Sequence, residues 1–377
     1  MWAPSLWKSI APLCVIFFFY TSLDVTGGHG TTPAALRCNW DSVNVTTVRR
    51  QGSSGNRNIE EPVPVFWINM AESLGRRNYM NTLLSSPAAR AMGLGSHYRV
   101  EAITPEAPSF NISHLEMPCK RNTPRDLAVI LSHLTAIHRA VYDVSTEGRR
   151  SKYALVLEDD VVFTLPIDIS RLVASAPPGF GLLQLTTSCR EAVHLIWRRF
   201  LRSGGEDLWT LNHWTNTTRD KRYPLFWSAQ AYLVNKAVVR HFLDDVVTVE
   251  SNGSLSFKII NSFFPKNCKR SRTRPCILAN CLFSDSYIFA GAGPTFVSNV
   301  PIVNGADIGR TSTVHQEHVE RVHLPVFDLI RQIINTLKER YENTVLGPAM
   351  QQGTGRPSTS VLPRYAIEPE CTIIRNI

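Results

Sequence analysis

The sequence predicts an α/β fold with a mainly parallel central sheet and flanking helices. Three observations carry that expectation. Between Pro62 and Leu157 the segments alternate strand, helix, strand, helix, strand, the order that builds a parallel sheet. The best helix of the chain has one apolar stripe, as a helix laid on a sheet needs. The chain has 377 residues, 44% hydrophobic and 19% charged. That suffices for one large α/β domain or two small ones with a sizeable core.

The elements run in order. "PVPVFWINM", Pro62 to Met70, is a run of strand formers. "RRNYMNTLLSS" carries Met80, Leu83 and Leu84 at helical spacing. "SHYRVEAI" is a second strand, and Pro105 and Pro108 break the segment after it. The helix opens on Pro124, which suits a first turn, and aligns Leu127, Ile130, Leu131, Leu134, Ile137 and Val141. Tyr153 to Leu157 reads as a buried strand, "GFGLLQL" as another and "AVHLIWRRFL" as a helix. "RSGGEDLWTLNHWTNTTRDKRYP" has no period and reads as a long surface loop. "SAQAYLV" and "NKAVVRHFLDD" give a strand and a helix, residues 251–280 a loop with the basic cluster "KNCKRSRTR", and "VFDLIRQIINTLKERY" a late amphipathic helix. No internal repeat is found.

These elements set the domains. Residues 1–23 form a signal peptide or signal anchor, 24–61 a Gly-, Thr-, Ser- and Asn-rich stem, 62–345 the folded domain and 346–377 an irregular tail. The uncharged run Ile10 to Leu23 comes after Lys8, a positive flank that faces the cytosol. The run is short for a spanning helix of about 20 residues, and counting from Trp2 brings it near that length. Either form delivers the rest of the chain to the secretory pathway, with a Golgi or endoplasmic-reticulum location and a lumenal domain, or secretion if the leader is cleaved. Sequons at Asn44, Asn111, Asn216 and Asn252 agree. Of eight Cys, Cys14 lies in the apolar run; the other seven favour disulfides with one thiol over. They contain no Cys-x-x-Cys pair for zinc. The net charge of +9 fits anionic partners or plain solubility. No basic run is interleaved with aromatics, which argues against nucleic acid.

The chemistry centres on "YALVLEDDVVFTLP". Three acids stand at the carboxyl end of a buried strand, where ligands gather in open α/β sheets. Strand alternation sends Glu158 and Asp160 to one side and Asp159 to the other. Two carboxylates on one side repel each other unless a cation intervenes. A hard divalent ion with oxygen ligands, Mn²⁺ or Mg²⁺, answers that, and such ions commonly also hold substrate phosphates. On three letters alone, a turn whose acids face water fits equally well.

Several blocks then resemble glycosyltransferase family 25, which includes lipopolysaccharide and procollagen galactosyltransferases. They are "VFWINMAESLGRRNYM", "AVILSHLTAIHRAV", "YALVLEDDVVF", "GLLQL", "SAQAYLVNKAVVRHFL" and the later Asp285-Ser286-Tyr287. The order of the blocks is more specific than any one of them. The chain departs from the family pattern at Met70, at the "PRDLAVIL" lead and at Ser228-Ala229-Gln230.

The resemblance implies a GT-A-like nucleotide-diphospho-sugar transferase fold. It also implies an inverting transfer of a hexose, most simply galactose, from a UDP-sugar to a glycan or glycoprotein acceptor. Under it Asp160 binds the metal, Glu158 shares the metal or the ribose, and Asp159 holds ribose or metal waters. His315 completes the metal shell, although it and His318 equally suit exposed positions. Asp285 is the base, with a helix-capping Asp as the rival reading. Asn69, Arg76 and Arg77 meet the nucleotide, or begin a solvated helix. His133 serves the donor site or is a satisfied core histidine, and Gln184 touches donor or acceptor. Trp209, Trp214 and Trp227 offer faces to acceptor sugars, with core packing the alternative for Trp227. Two rivals stand beside this reading: an inactive secretory-pathway glycan-binding module on the same fold, and a metal-dependent phosphate-ester hydrolase.

Overall fold

The computed structural model describes residues 36–39, 62–116, 122–142, 145, 150–165, 167–203, 205, 207–212, 226–260, 283–306, 323–341 and 370–373. The chain forms two compact units. In the smaller, β1 (Leu36–Asn39) pairs antiparallel with β14 (Glu370–Ile373), and Cys38 stands opposite Cys371. These strands fall in segments expected to be stem and irregular tail.

The larger unit begins with β2 (Val63–Asn69), whose seven residues are all buried, as in a strand covered on both faces. Then come α1 (Leu74–Leu84), α2 (Pro87–Ala91) and β3 (Leu94–Glu101), and after them β4 (Ile112–Leu115), α3 (Pro124–Tyr142) and β5 (Tyr153–Glu158). The chain continues through β6 (Val161–Phe163), α4 (Ile169–Ala174), β7 (Leu182–Gln184), α5 (Arg190–Arg202) and β8 (Trp209–Asn212). It goes on with β9 (Ala231–Asn235), α6 (Lys236–Val246), β10 (Val247–Val249) and β11 (Leu255–Ile259). The remaining elements are α7 (Ser284–Gly291), β12 (Thr295–Ser298), β13 (Val303–Gly305) and α8 (Leu324–Tyr341).

The main sheet has the order β3-β2-β5-β9-β7-β12-β8. The pairs β2–β3, β2–β5 and β7–β12 are parallel; β5–β9, β7–β9 and β12–β8 are antiparallel. Five strands therefore point one way, and β9 and β8 oppose them. The α/β class holds, while the sheet is mixed where the sequence predicts mainly parallel pairing. The apolar run "AYLV" encodes burial but not strand direction.

Alternation divides the core between the two faces of the sheet. Phe66, Ile68, Ala154, Val156 and Tyr232 pack with the stripe of α3 and with α7. Val65, Trp67, Leu155, Leu157 and Leu233 pack with Met80 and Leu84 of α1 and with α4. The parallel strands β2 and β5 end side by side, with Ile68 opposite Glu158.

Two expected loops contain strands. The edge strand β8 lies inside "RSGGEDLWTLNHWTNTTRDKRYP", and β11 lies inside 251–280. Trp209 is buried on β8 and donates from Nε1 to Ser175 Oγ at 3.1 Å, which makes it a packing residue rather than a sugar platform. Trp214 and "KNCKRSRTR" lie outside the described residues. Among those described, no helix is long and apolar enough to cross a membrane; Ile10 to Leu23 lies outside them.

Candidate functional site

The site grows from the carboxyl ends of β2 and β5. Beyond the Ile68–Glu158 pair, each strand places one more residue at the edge, Asn69 and Asp159. Asn69 Nδ2 donates to Asp159 Oδ2 at 2.7 Å and to the Ser73 carbonyl at 3.3 Å. Its Oδ1 accepts from Arg99 Nε at 2.9 Å and from Arg77 Nε at 3.4 Å. One buried amide thus joins an acid to two cations, with donor and acceptor capacity both used.

Arg76, on the first turn of α1, faces the acids. Its Nη1 donates to Asp159 Oδ1 at 2.8 Å and reaches Asp160 Oδ2 at 3.4 Å. Burial alone would lower the Arg76 pKa, but Asp160 and Asp159 carry it above the usual arginine value. Arg77 donates from Nη2 to the Ala71 carbonyl at 2.6 Å. Asp159 is therefore held at both oxygens by β2 and α1. The family resemblance assigns it to ribose or metal waters; its observed partners make it the anchor of α1.

Strand alternation predicts opposite directions for Glu158 and Asp159, and the structure has them. Glu158 continues the Ala154 and Val156 side toward α3, where His133 Nε2 lies 3.3 Å from its Oε1. Asp160 departs from the alternation. The chain turns after Glu158 and re-forms a strand at Val161, and the turn sends Asp160 Oδ2 to Arg76 on the same side as Asp159.

The Asp160 side chain is 16% exposed, yet its Oδ1 is buried and has no hydrogen-bond partner among the described residues. Burial and the neighbouring Glu158 push its carboxyl up to about 7, with Arg76 opposing and Asp159 adding. A buried carboxylate oxygen without a donor, beside two further acids, is what a cation ligand presents. Asp160 and the second oxygen of Glu158 could hold such an ion. Three grouped His, Cys, Asp or Glu side chains suited to a metal do not occur among the described residues. His315 and His318 lie outside those residues. Ala306 N–H donates to the Asp160 carbonyl at 2.6 Å.

Asp285 stands at the start of α7. Its Oδ2 accepts the Ser228 N–H at 2.6 Å and its Oδ1 accepts from Ser284 Oγ at 3.0 Å. Burial pushes the Asp285 carboxyl up; the Ser228 N–H offsets this and the charge of Glu158 adds to it. Ser228 has φ 113°, a region non-glycine residues rarely adopt. Strain of this kind clusters at functional sites.

Gln184 is fully buried. Its Nε2 donates to the Trp227 carbonyl at 2.9 Å and the Ser228 carbonyl at 3.2 Å, and its Oε1 accepts from Asn212 at 2.9 Å. It frames the Ser228 segment instead of meeting a ligand. Trp227 packs partly buried, edge-to-face on Phe283 at 6.1 Å. Sequence reasoning missed Arg99, Ser228 and Tyr232. Tyr232 sits in the quoted "SAQAYLV", but only the β5–β9 register, with Val156 opposite Tyr232, brings it beside His133 and the face of Glu158.

Neither a scan against protein-family models nor a search of the curated proteins finds a match.

Proposed function

We propose that the chain is a metal-dependent, inverting glycosyltransferase with a GT-A-like fold, moving a hexose, most simply galactose, from a UDP-sugar to a glycan or glycoprotein acceptor. The observation that carries this reading is Asp160. Its Oδ1 is buried without a partner, and its carboxyl is pushed up to about 7 by burial and Glu158. Arg76 is shared between two acids, so the cluster favours a further cation. The ordered blocks that resemble glycosyltransferase family 25 add the reaction class.

In this reading Asp160 and Glu158, joined by His315, hold Mn²⁺ or Mg²⁺. When bound, the ion neutralises the charge that develops on the departing diphosphate. The residues of the chain do the rest. Asn69 fixes Arg77 and Arg99 at the end of β2, where their positive charge suits phosphate oxygens. Arg76 keeps Asp159 and Asp160 in place. Asp285 takes the proton of the acceptor hydroxyl as that oxygen attacks the anomeric carbon in line, and its raised pKa suits a general base. The glycan or glycoprotein acceptor, a membrane association through the N-terminal run and a Golgi or endoplasmic-reticulum site belong to the same proposal.

The test is a screen of UDP-sugars with Mn²⁺ or Mg²⁺, reading UDP release with and without glycan acceptors. Release that needs both metal and acceptor supports a transferase. Glycan binding with no release from any donor supports the inactive binding module instead.

A further inference from the structure

Two of the four sequons lie in described segments, and both flank β11. The first is the turn of the β10–β11 hairpin. Gly253 N–H donates to the Glu250 carbonyl at 2.8 Å, and Glu250 N–H donates to the Ser254 carbonyl at 2.9 Å. Gly253 has φ 82°, the left-handed residue that closes a three-residue hairpin loop. The sequon Asn252-Gly253-Ser254 is thus built into the loop, and all three residues are exposed. Asn252 Oδ1 accepts the Ser254 N–H at 2.9 Å, a local turn that Asn favours. Its Nδ2 makes no hydrogen bond among the described residues. A Cβ at Gly253 would meet nothing within 4 Å, so the tip has room around it.

The second sequon, Asn111-Ile112-Ser113, is sealed against the same strand from the other side. Asn111 is half-buried. Its carbonyl accepts the Phe257 N–H at 2.9 Å, and its Nδ2 donates to the Leu255 carbonyl at 3.5 Å. Ser113 Oγ donates to the Phe257 carbonyl at 3.2 Å. Phe110 and Ile112 on either side pack on the core. The amide nitrogen that a glycan would occupy and the hydroxyl of the sequon are therefore both bonded to β11. A chain glycosylated at Asn111 gives up the Leu255 bond and must fit a bulky sugar beside the sheet, so it folds into this sheet less well.

We propose that Asn252 is an N-glycosylation site, that Asn111 stays bare in the folded protein, and that the Asn252 glycan covers the open edge of β10. The modification rests on the lumenal location proposed above; the choice between the two sequons stands on geometry. In the transfer, catalysed by a lumenal oligosaccharyltransferase, Asn252 Nδ2 displaces the diphosphate from the anomeric carbon of a lipid-diphosphate-linked oligosaccharide. A C–O bond breaks, a C–N bond forms, and the proton lost from Nδ2 leaves with the lipid diphosphate. The edge needs such a cover. Among the described strands β10 pairs with β11 alone. Thr248 and Val249 are exposed, Val249 at 57%. An open edge with an exposed apolar side chain invites pairing with another chain, and a bulky, solubilising glycan on the adjoining loop obstructs it.

The test uses the full-length chain, expressed in cells that keep N-glycans in the high-mannose form. Soluble protein is trimmed with endoglycosidase H, which leaves one N-acetylglucosamine on each occupied Asn, and its peptides are mapped by mass. The expected result is the sugar on the Asn252 peptide and none on the Asn111 peptide. Asn252→Gln and Ser254→Ala are expected to lose it, and Ser254→Thr to keep it, because threonine preserves the sequon. A bare Asn252 beside an occupied sequon elsewhere overturns the site, and sugar on Asn111 overturns the selection. If no sequon is occupied, the lumenal location fails, and the map is repeated with a cleavable signal peptide added ahead of the chain. Sugar on Asn252 then supports the site, and a bare Asn252 overturns it. The edge role is read by light scattering on warming. Ser254→Ala, which keeps Asn252 in its turn, is expected to aggregate faster than wild type and Ser254→Thr; equal rates overturn that role.

Discussion

The backbone N–H of Ser228 donates to Asp285 Oδ2 at 2.6 Å, joining a residue at φ 113° to the acid at the start of α7. The proposed base is therefore also a structural acceptor. Asp285→Ala is expected to leave the Ser228 N–H unpaired and to cost about 1–3 kcal/mol, read by chemical denaturation. Asp285→Asn keeps an acceptor oxygen. It should fold nearly as well as wild type and lose about a hundredfold or more in turnover. An Asn variant with wild-type turnover removes Asp285 from the mechanism.

The acids make stability depend on pH. Asp160 has its carboxyl pushed up to about 7, above the unfolded value of about 3.9. The folded protein therefore holds that proton more tightly than the unfolded chain. The resulting stability is fully present below about pH 4 and is lost as pH rises through about 7. Asp285 shifts in the same direction. Thermal melts without metal should fall between about pH 4 and 8, and Asp160→Asn should flatten that fall. Added Mn²⁺ should stabilise most at the alkaline end, where the carboxylate is ionised. Melts that rise over this range contradict the burial account of Asp160.

Gly305 lies opposite Val161 in the β6–β13 pair, just after the acids. A Cβ there would stand 2.1 Å from the Phe327 ring, so α8 packs on that bare backbone. Gly305→Ala should destabilise by about 1–3 kcal/mol through overpacking. Gly305→Ala/Phe327→Leu should recover part of the loss in denaturant melts. Equal stability of Gly305→Ala and wild type contradicts this packing.

Cys38 and Cys371 are directly opposed across an antiparallel pair. Opposed Cα atoms in such pairs lie about 4.5–5.5 Å apart, within the span of a disulfide. Protein made through an oxidising secretory route should yield one peptide joining the two, split by reductant, in a mass map. A map that joins Cys38 to another cysteine contradicts the register.

Much of the fold is legible in the sequence because periodicity reports burial. The stripe on α3, the run in β2 and the strand before Glu158 all lie where pattern alone places them. Direction and edge pairing are not legible. β9 enters the sheet antiparallel, β8 hides in a polar segment because its partner β12 is distant in sequence, and β11 pairs both with neighbouring β10 and with distant β4. The acids, Asn69, Arg76, Arg77 and His133 stand out in the sequence, and the structure brings them together. The division of labour is set by the local backbone. A turn, not a continuing strand, comes after Glu158, so Asp160 shares Arg76 with Asp159. Gln184 has a ligand-like position in sequence but spends its amide on Trp227, Ser228 and Asn212.

The most direct test of the central claim compares UDP release from UDP-galactose, with Mn²⁺ and a glycan acceptor, in wild type and Asp160→Ala, with folding of both checked by circular dichroism. The account predicts metal-dependent release by wild type and a loss of about a hundredfold or more in the folded variant, the scale set by losing several kcal/mol of charge stabilisation. Full, metal-dependent activity in Asp160→Ala would contradict it.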